Sequence, residues 1–227
     1  MIPGPPVEAR RGRVQTVAGL VEATALGRTM MHEHLMIDLN LPRIRAEAVD
    51  PTDTLELCNC FAVRWGTQYS RRNFQLDDRE LATSELRRFA EAGGGTLVEL
   101  TAGGLKPDPL ALRAIAAASG VHVVMGCGHY VQEYQDEANA GCSADDFARE
   151  IVDQVTKGAW GTDVCAGIIG EIGCQAPWTV GERRVMQGAL LAQAETGAAV
   201  NVHPGRDRTS RPRSPPLPVP RVRRWTG

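Results

Sequence analysis

GGGTLVELTAGG, residues 93–104, decides the class of the fold, because a short apolar strand runs straight into a glycine-rich turn. Residues 96–100 read as the strand, which ends in Thr101-Ala102-Gly103-Gly104, and residues 109–119 follow as a helix closed by Gly120. The unit then repeats. Residues 121–125 form the next strand, ending in Gly126-Cys127-Gly128, and 143–156 the next helix, with Ser143 as N-cap and acidic residues in its first turn. Residues 165–169 read as a strand ending in Gly170-Glu171-Ile172-Gly173, 181–195 as a helix closed by Gly197, and 198–202 as a strand ending in His203-Pro204-Gly205. Strand and helix alternating through short turns is the pattern of parallel βα units. The strands are brief and apolar, as befits strands buried on both faces.

Working back toward the N-terminus, residues 76–92 read as a helix stopped by Gly93–Gly95, and 39–75 as a long polar loop with short helical pieces. A long insertion after a strand is often functional. TMMHEHLMID, residues 29–38, alternates as a strand, placing His32, His34 and Met36 on one face. Residues 14–21 suit a small hairpin around Gly19, and 1–12 a flexible leader. Beyond Gly205 the rhythm stops, and RDRTSRPRSPPLPVPRVRRWTG, residues 206–227, has the composition of a disordered basic tail. The chain therefore reads as an α/β fold with about five strand-helix units over residues 13–205.

Composition narrows the function. Hydrophobic residues make up 43% and charged residues 23%, as in an ordinary globular domain. The net charge of −2 gives no sign of a nucleic-acid partner, although seven arginines crowd into residues 206–227. No apolar run is long enough for a membrane span, and the first eleven residues lack a signal-peptide core. Six scattered cysteines suit free thiols in a reducing compartment, so a cytoplasmic location is expected. Cys58-Asn59-Cys60 is too tightly spaced for the usual zinc or redox pair. There is no G-x-S-x-G elbow and no phosphate loop, and Gly93–Gly95 precede a strand rather than open a helix. Cys127 reads as a buried structural thiol rather than a nucleophile.

The residues with chemistry lie at strand C-terminal ends: His32 and His34, Thr101, Tyr130, Glu171 and His203. That edge is where sites form in βα barrels and open α/β sheets alike. Two imidazoles at i and i+2 on one strand can share a metal; a pair of partly exposed strand histidines is the other reading. Glu171, bracketed by glycines, can bridge two cations, or it can cap the following helix. His203 taken alone reads as structural.

VQTVAGLVEATALGRTMMHEHL, GGGTLVELTAGG, AGIIGEIGCQAPWT and NVHPGR, in that order across roughly residues 13–206, resemble the phosphotriesterase-related proteins of the amidohydrolase superfamily. The resemblance implies a (β/α)8 barrel with two divalent metal ions, usually zinc. It implies that His32 and His34 bind the more buried metal, Glu171 bridges both, and His203 binds the second. A metal-bound hydroxide would then cleave an amide or ester of a small molecule, an N-acetyltaurine-type amide among them. Glu171 is thus the catalytic candidate as well as a ligand, and Tyr130 is a candidate for substrate binding. His129 reads as a surface side chain, and Trp160 replaces the acidic residue usual in its turn. The family also uses a histidine from the sixth strand and an aspartate from the eighth. No histidine follows His203, and the only later aspartate is Asp207. The expectation is a partial barrel, five strands of eight, with an incomplete second metal site. The alternative is a truncated isoform without catalysis, or a fragment that holds one metal.

Overall fold

The structure is a computed structural model that describes residues 11–45, 47 and 53–205. The leader, apart from residues 11 and 12, and the tail from 206 onward lie outside the described residues. The expected hairpin is present: β1 (Arg13–Thr16) pairs antiparallel with β2 (Gly19–Glu22). Then come β3 (Arg28–Glu33), β4 (Ile37–Asp38), α1 (Pro42–Arg45), α2 (Cys60–Arg64) and β5 (Gln75–Leu76). β4 and β5 pair antiparallel, closing the neck of the long loop. Asp38 anchors that neck, accepting from Asn40 N (2.9 Å), Asn40 Nδ2 (2.8 Å) and Gln75 Nε2 (3.2 Å).

The repeating part is α3 (Arg79–Glu91), β6 (Gly94–Glu99), α4 (Pro109–Ser119), β7 (His122–Met125), α5 (Ala144–Thr156), β8 (Ile169–Cys174), α6 (Val180–Thr196) and β9 (Val200–Pro204). Each helix starts where a side chain takes up an orphan N–H. Asp78 and Asp108 accept from Leu81 N and Ala111 N, both at 2.9 Å. Ser143 with Asp146, and Thr179 with Glu182, form reciprocal capping boxes. α4 and α6 stop at Gly120 (φ 76°) and Gly197 (φ 73°), a left-handed conformation open to glycine.

β3, β6 and β7 form one parallel sheet, and β8 and β9 a parallel pair. Backbone bonds from Gly167 N to Met125 O (2.9 Å) and from Gly170 N to Cys127 O (2.7 Å) tie β8 to the β7 side. The five strands thus follow one another round an arc in chain order, as the sequence rhythm predicts. Among the described residues, β3 and β9 each pair on one side only, so the arc does not close. The main core lies between the arc and its helices, with Leu97, Val123, Met125 and Ile169 against Phe147, Ile151 and Val185. A smaller cluster of Val98, Leu100 and Val124 packs with Val14 of the hairpin and Ile168 on the opposite face.

Two strand readings are corrected. The strand expected at 165–169 runs instead from Ile169 to Cys174, so Glu171 sits within it and not in the turn after it. Residues 29–38 do not form one alternating strand either. β3 ends at Glu33, and Met36 joins the helix-side core, away from the histidines. Both departures fall at register shifts, between Met30 and Glu33 on β3 and between Ile169 and Ile172 on β8. An extra residue on one strand breaks the two-residue period.

Candidate metal centre

The β8 irregularity builds the site. Ile169, Ile172 and Cys174 all join the helix-side core, which strict alternation would forbid for both isoleucines. The added residue lets Glu171 point the other way, toward the strand ends, while only 2% exposed. Three histidines meet it there. His32 Nε2 is 3.1 Å from Glu171 Oε2, His34 Nε2 is 3.6 Å from Oε1, and His203 Nδ1 is 2.8 Å from Oε2. The His32 and His34 rings stand edge to face with centroids 5.6 Å apart. Candidate ligand atoms of His32, His34 and Glu171 all lie within 4.8 Å of one another. Tyr130 joins the group through its hydroxyl, 3.1 Å from His203 Nε2.

Glycine at 170 and 173 serves this packing. Gly170 has φ 130°, and a Cβ there would strike the carbonyl of Asn201 on β9. A Cβ on Gly173 would strike the backbone of Tyr130 and Val131. The close approach at both glycines is thus made by neighbouring backbone. The helix-capping role conceivable for Glu171 belongs to Glu182, which is fully buried and accepts from Thr179 N (3.1 Å), Gln175 N (3.2 Å) and Gln132 N (3.3 Å).

Burial lowers the His34 pKa, outweighing the opposing pull of Glu171, and the neighbouring His32 and His203 lower it further. These effects favour the neutral imidazole, the form that binds a cation. A buried carboxylate facing three imidazoles, with no lysine or arginine bonded to it among the described residues, is a donor set suited to zinc or a similar divalent ion.

Sequence reasoning overlooked Glu99. It is fully buried at the end of β6 and accepts from Thr101 Oγ1 (2.5 Å), Thr101 N (3.1 Å) and Leu35 N (3.3 Å). Burial pushes its pKa up to about 7, against those hydrogen bonds, which hold it down. Thr101 Oγ1 in turn lies 3.0 Å from His34 Nδ1. The available signal was a charge inside the apolar run TLVEL. His129 is also corrected: it is buried, with Nε2 at 2.9 Å from Glu150 and Nδ1 at 3.1 Å from Asn139. Its ring stacks edge-on against Phe147, which explains why it leaves the surface. Cys127 is fully buried, which raises its pKa and suits the inert reading. All six cysteines are free thiols. No helix of the described residues is long and apolar enough to cross a membrane.

Comparison with known proteins points the same way as the geometry. The family model described as the phosphotriesterase family matches residues 12–212. N-acetyltaurine hydrolase from Salmo salar is 37% identical over 205 residues, which is 88% of this chain and 59% of the relative. A resiniferatoxin-binding protein from Rhodobacter sphaeroides superposes with a TM-score of 0.76 at 39% identity, over 85% of this chain and 55% of that one. The phosphotriesterase homology protein from Escherichia coli, solved with phosphate in its active site, gives 0.62 at 26% identity, over 79% and 53%. The chain thus spans a little over half the length of the curated relatives it matches.

Proposed function

The chain belongs to the phosphotriesterase family, and from that premise we propose that it is a metal-dependent hydrolase of a small-molecule amide or ester, with an N-acetyltaurine-type amide as the leading substrate. The observation that carries the reading is the buried Glu171 carboxylate at the meeting point of His32, His34 and His203. Members of the family are metal-dependent hydrolases. The substrate reading rests on relatives named N-acetyltaurine hydrolase at 34–38% identity.

Each residue has a role in this proposal. His32 and His34 would hold one divalent ion, taken to be zinc, and His203 a second. Glu171 would bridge the two; Oε2 near both His32 and His203, with Oε1 near His34, supports that reading. A divalent cation held there would supply Lewis acidity and would lower the pKa of water from about 15.7 to about 7. The Tyr130 hydroxyl, beside His203, would bind a polar group of the substrate and orient it.

The test is metal content and turnover of the purified chain. Bound zinc, cleavage of N-acetyltaurine read as released taurine, and loss of both in His32→Ala and Glu171→Gln are expected. A wild-type chain that takes up no divalent ion would sink the proposal. A second reading is favoured by the compact His32, His34 and Glu171 group: one ion held without turnover. One zinc per chain and no cleavage of amide, ester or lactone substrates would select it.

A further inference from the structure

We infer that Thr101 and Glu99 are positioning residues that set the tautomer of His34, so that its Nε2 presents a lone pair toward Glu171. The inference rests on the reading of His34 as a metal ligand. Its geometry is a chain of two hydrogen bonds, His34 Nδ1 to Thr101 Oγ1 at 3.0 Å and Thr101 Oγ1 to Glu99 Oε1 at 2.5 Å. Above about pH 7 the Glu99 carboxyl is ionised and only accepts, so the Thr101 hydroxyl proton goes to Glu99. The oxygen of Thr101 is then left with lone pairs, and it accepts from Nδ1–H of His34. A neutral imidazole protonated at Nδ1 is unprotonated at Nε2. That is the nitrogen 3.6 Å from Glu171 Oε1.

Glu99 also grips the chain beside the ring. Its Oε1 accepts from Leu35 N at 3.3 Å, and its Oε2 from Thr101 N at 3.1 Å. Side chain and backbone of the His34-Leu35 step are therefore referred to one fully buried carboxylate on β6. β3 is irregular next to the histidines, so ladder geometry alone does not aim them. A hydrogen-bonded partner behind a metal-binding histidine commonly fixes ring orientation and tautomer, and its loss costs roughly 10–100-fold in metal affinity.

The experiment compares wild type, Thr101→Val and Thr101→Ser at pH 8. 15N chemical shifts of His34 are read in the metal-free protein, and zinc affinity by competition with a chromophoric chelator. Expected is an Nδ1–H tautomer in wild type and Thr101→Ser, and a mixed or reversed tautomer in Thr101→Val. Zinc affinity should fall roughly 10–100-fold in Thr101→Val and recover in Thr101→Ser. An unchanged tautomer in a folded Thr101→Val chain would overturn the inference. So would a Thr101→Ser chain that fails to recover, since a purely structural role in packing would behave that way. The tautomer is read without metal or substrate, so a failure of the hydrolase proposal leaves this result separately legible.

Discussion

Glu99 and Glu171 are both buried carboxylates, and what surrounds them separates their tasks. Glu171 faces three imidazoles, whereas Glu99 faces the Thr101 hydroxyl and backbone N–H groups. For Glu99 burial dominates and raises the pKa from 4.5 to about 7. A carboxyl raised in the folded state adds stability that is fully present below pH 4.5 and lost as pH rises through about 7. The size of that loss is about 3 kcal/mol. Urea unfolding of wild type and Glu99→Gln at pH 5 and pH 8 measures it. The wild type should lose more stability over that interval than the variant, and equal losses would remove Glu99 as the cause. At this scale the His32–His34 pair and the glycine-flanked Glu171 drew notice in the sequence, whereas His203, structural when taken alone, entered only through the family resemblance. Glu99 did not, because its strand reads as apolar and its bond from Leu35 N, in the segment between β3 and β4, forms only on folding. His129 was misread for a similar reason, since Glu150, Asn139 and Phe147 reach it only after α5 packs.

At the scale of the element, β8 carries the argument. One added residue between Ile169 and Ile172 keeps both isoleucines in the helix-side core and frees Glu171 for the site. The same strand needs a bare backbone at Gly173, where Tyr130 and Val131 pass close by. Gly173→Ala should therefore cost roughly 1–3 kcal/mol of stability and displace Tyr130 from His203. Gly141→Ala, where an added Cβ meets nothing within 4 Å, is the control and should change stability by less than about 0.5 kcal/mol. Chemical unfolding measures the first effect, and a lost Tyr130–His203 contact in NMR the second. A neutral Gly173→Ala would mean that the backbone there has slack. Helix positions were readable to within a few residues, because caps and glycine stops are local chemistry: Ser143 and Gly197 act where the sequence puts them. The start of β8 was missed by four residues, because CAGII is as apolar as the true strand and only pairing with β9 decides which part extends.

On the scale of the whole molecule, the site ties the two ends of the arc together. His32 belongs to β3 and His34 follows it directly, whereas Glu171 and His203 belong to β8 and β9. A cation held there by His32, His34 and Glu171 would link strands that, among the described residues, have no ladder between them. Metal should therefore raise stability, by about 2.7 kcal/mol when free ion stands at 100 times its Kd. Thermal melts with zinc and with chelator test this, and His34→Ala should abolish the difference. Melting that ignores the chelator would contradict the clip. The sequence by itself determined the alternation of parallel strand-helix units, their chain order round the arc, and the residue types gathered at one edge. These follow from local periodicity, capping and turn chemistry, which each segment carries alone. Only the tertiary structure decided that Glu171 turns inward, that Glu99 and Thr101 stand behind His34, and that Tyr130 meets His203. Those facts depend on register between strands, and a single added residue reverses which face a side chain takes.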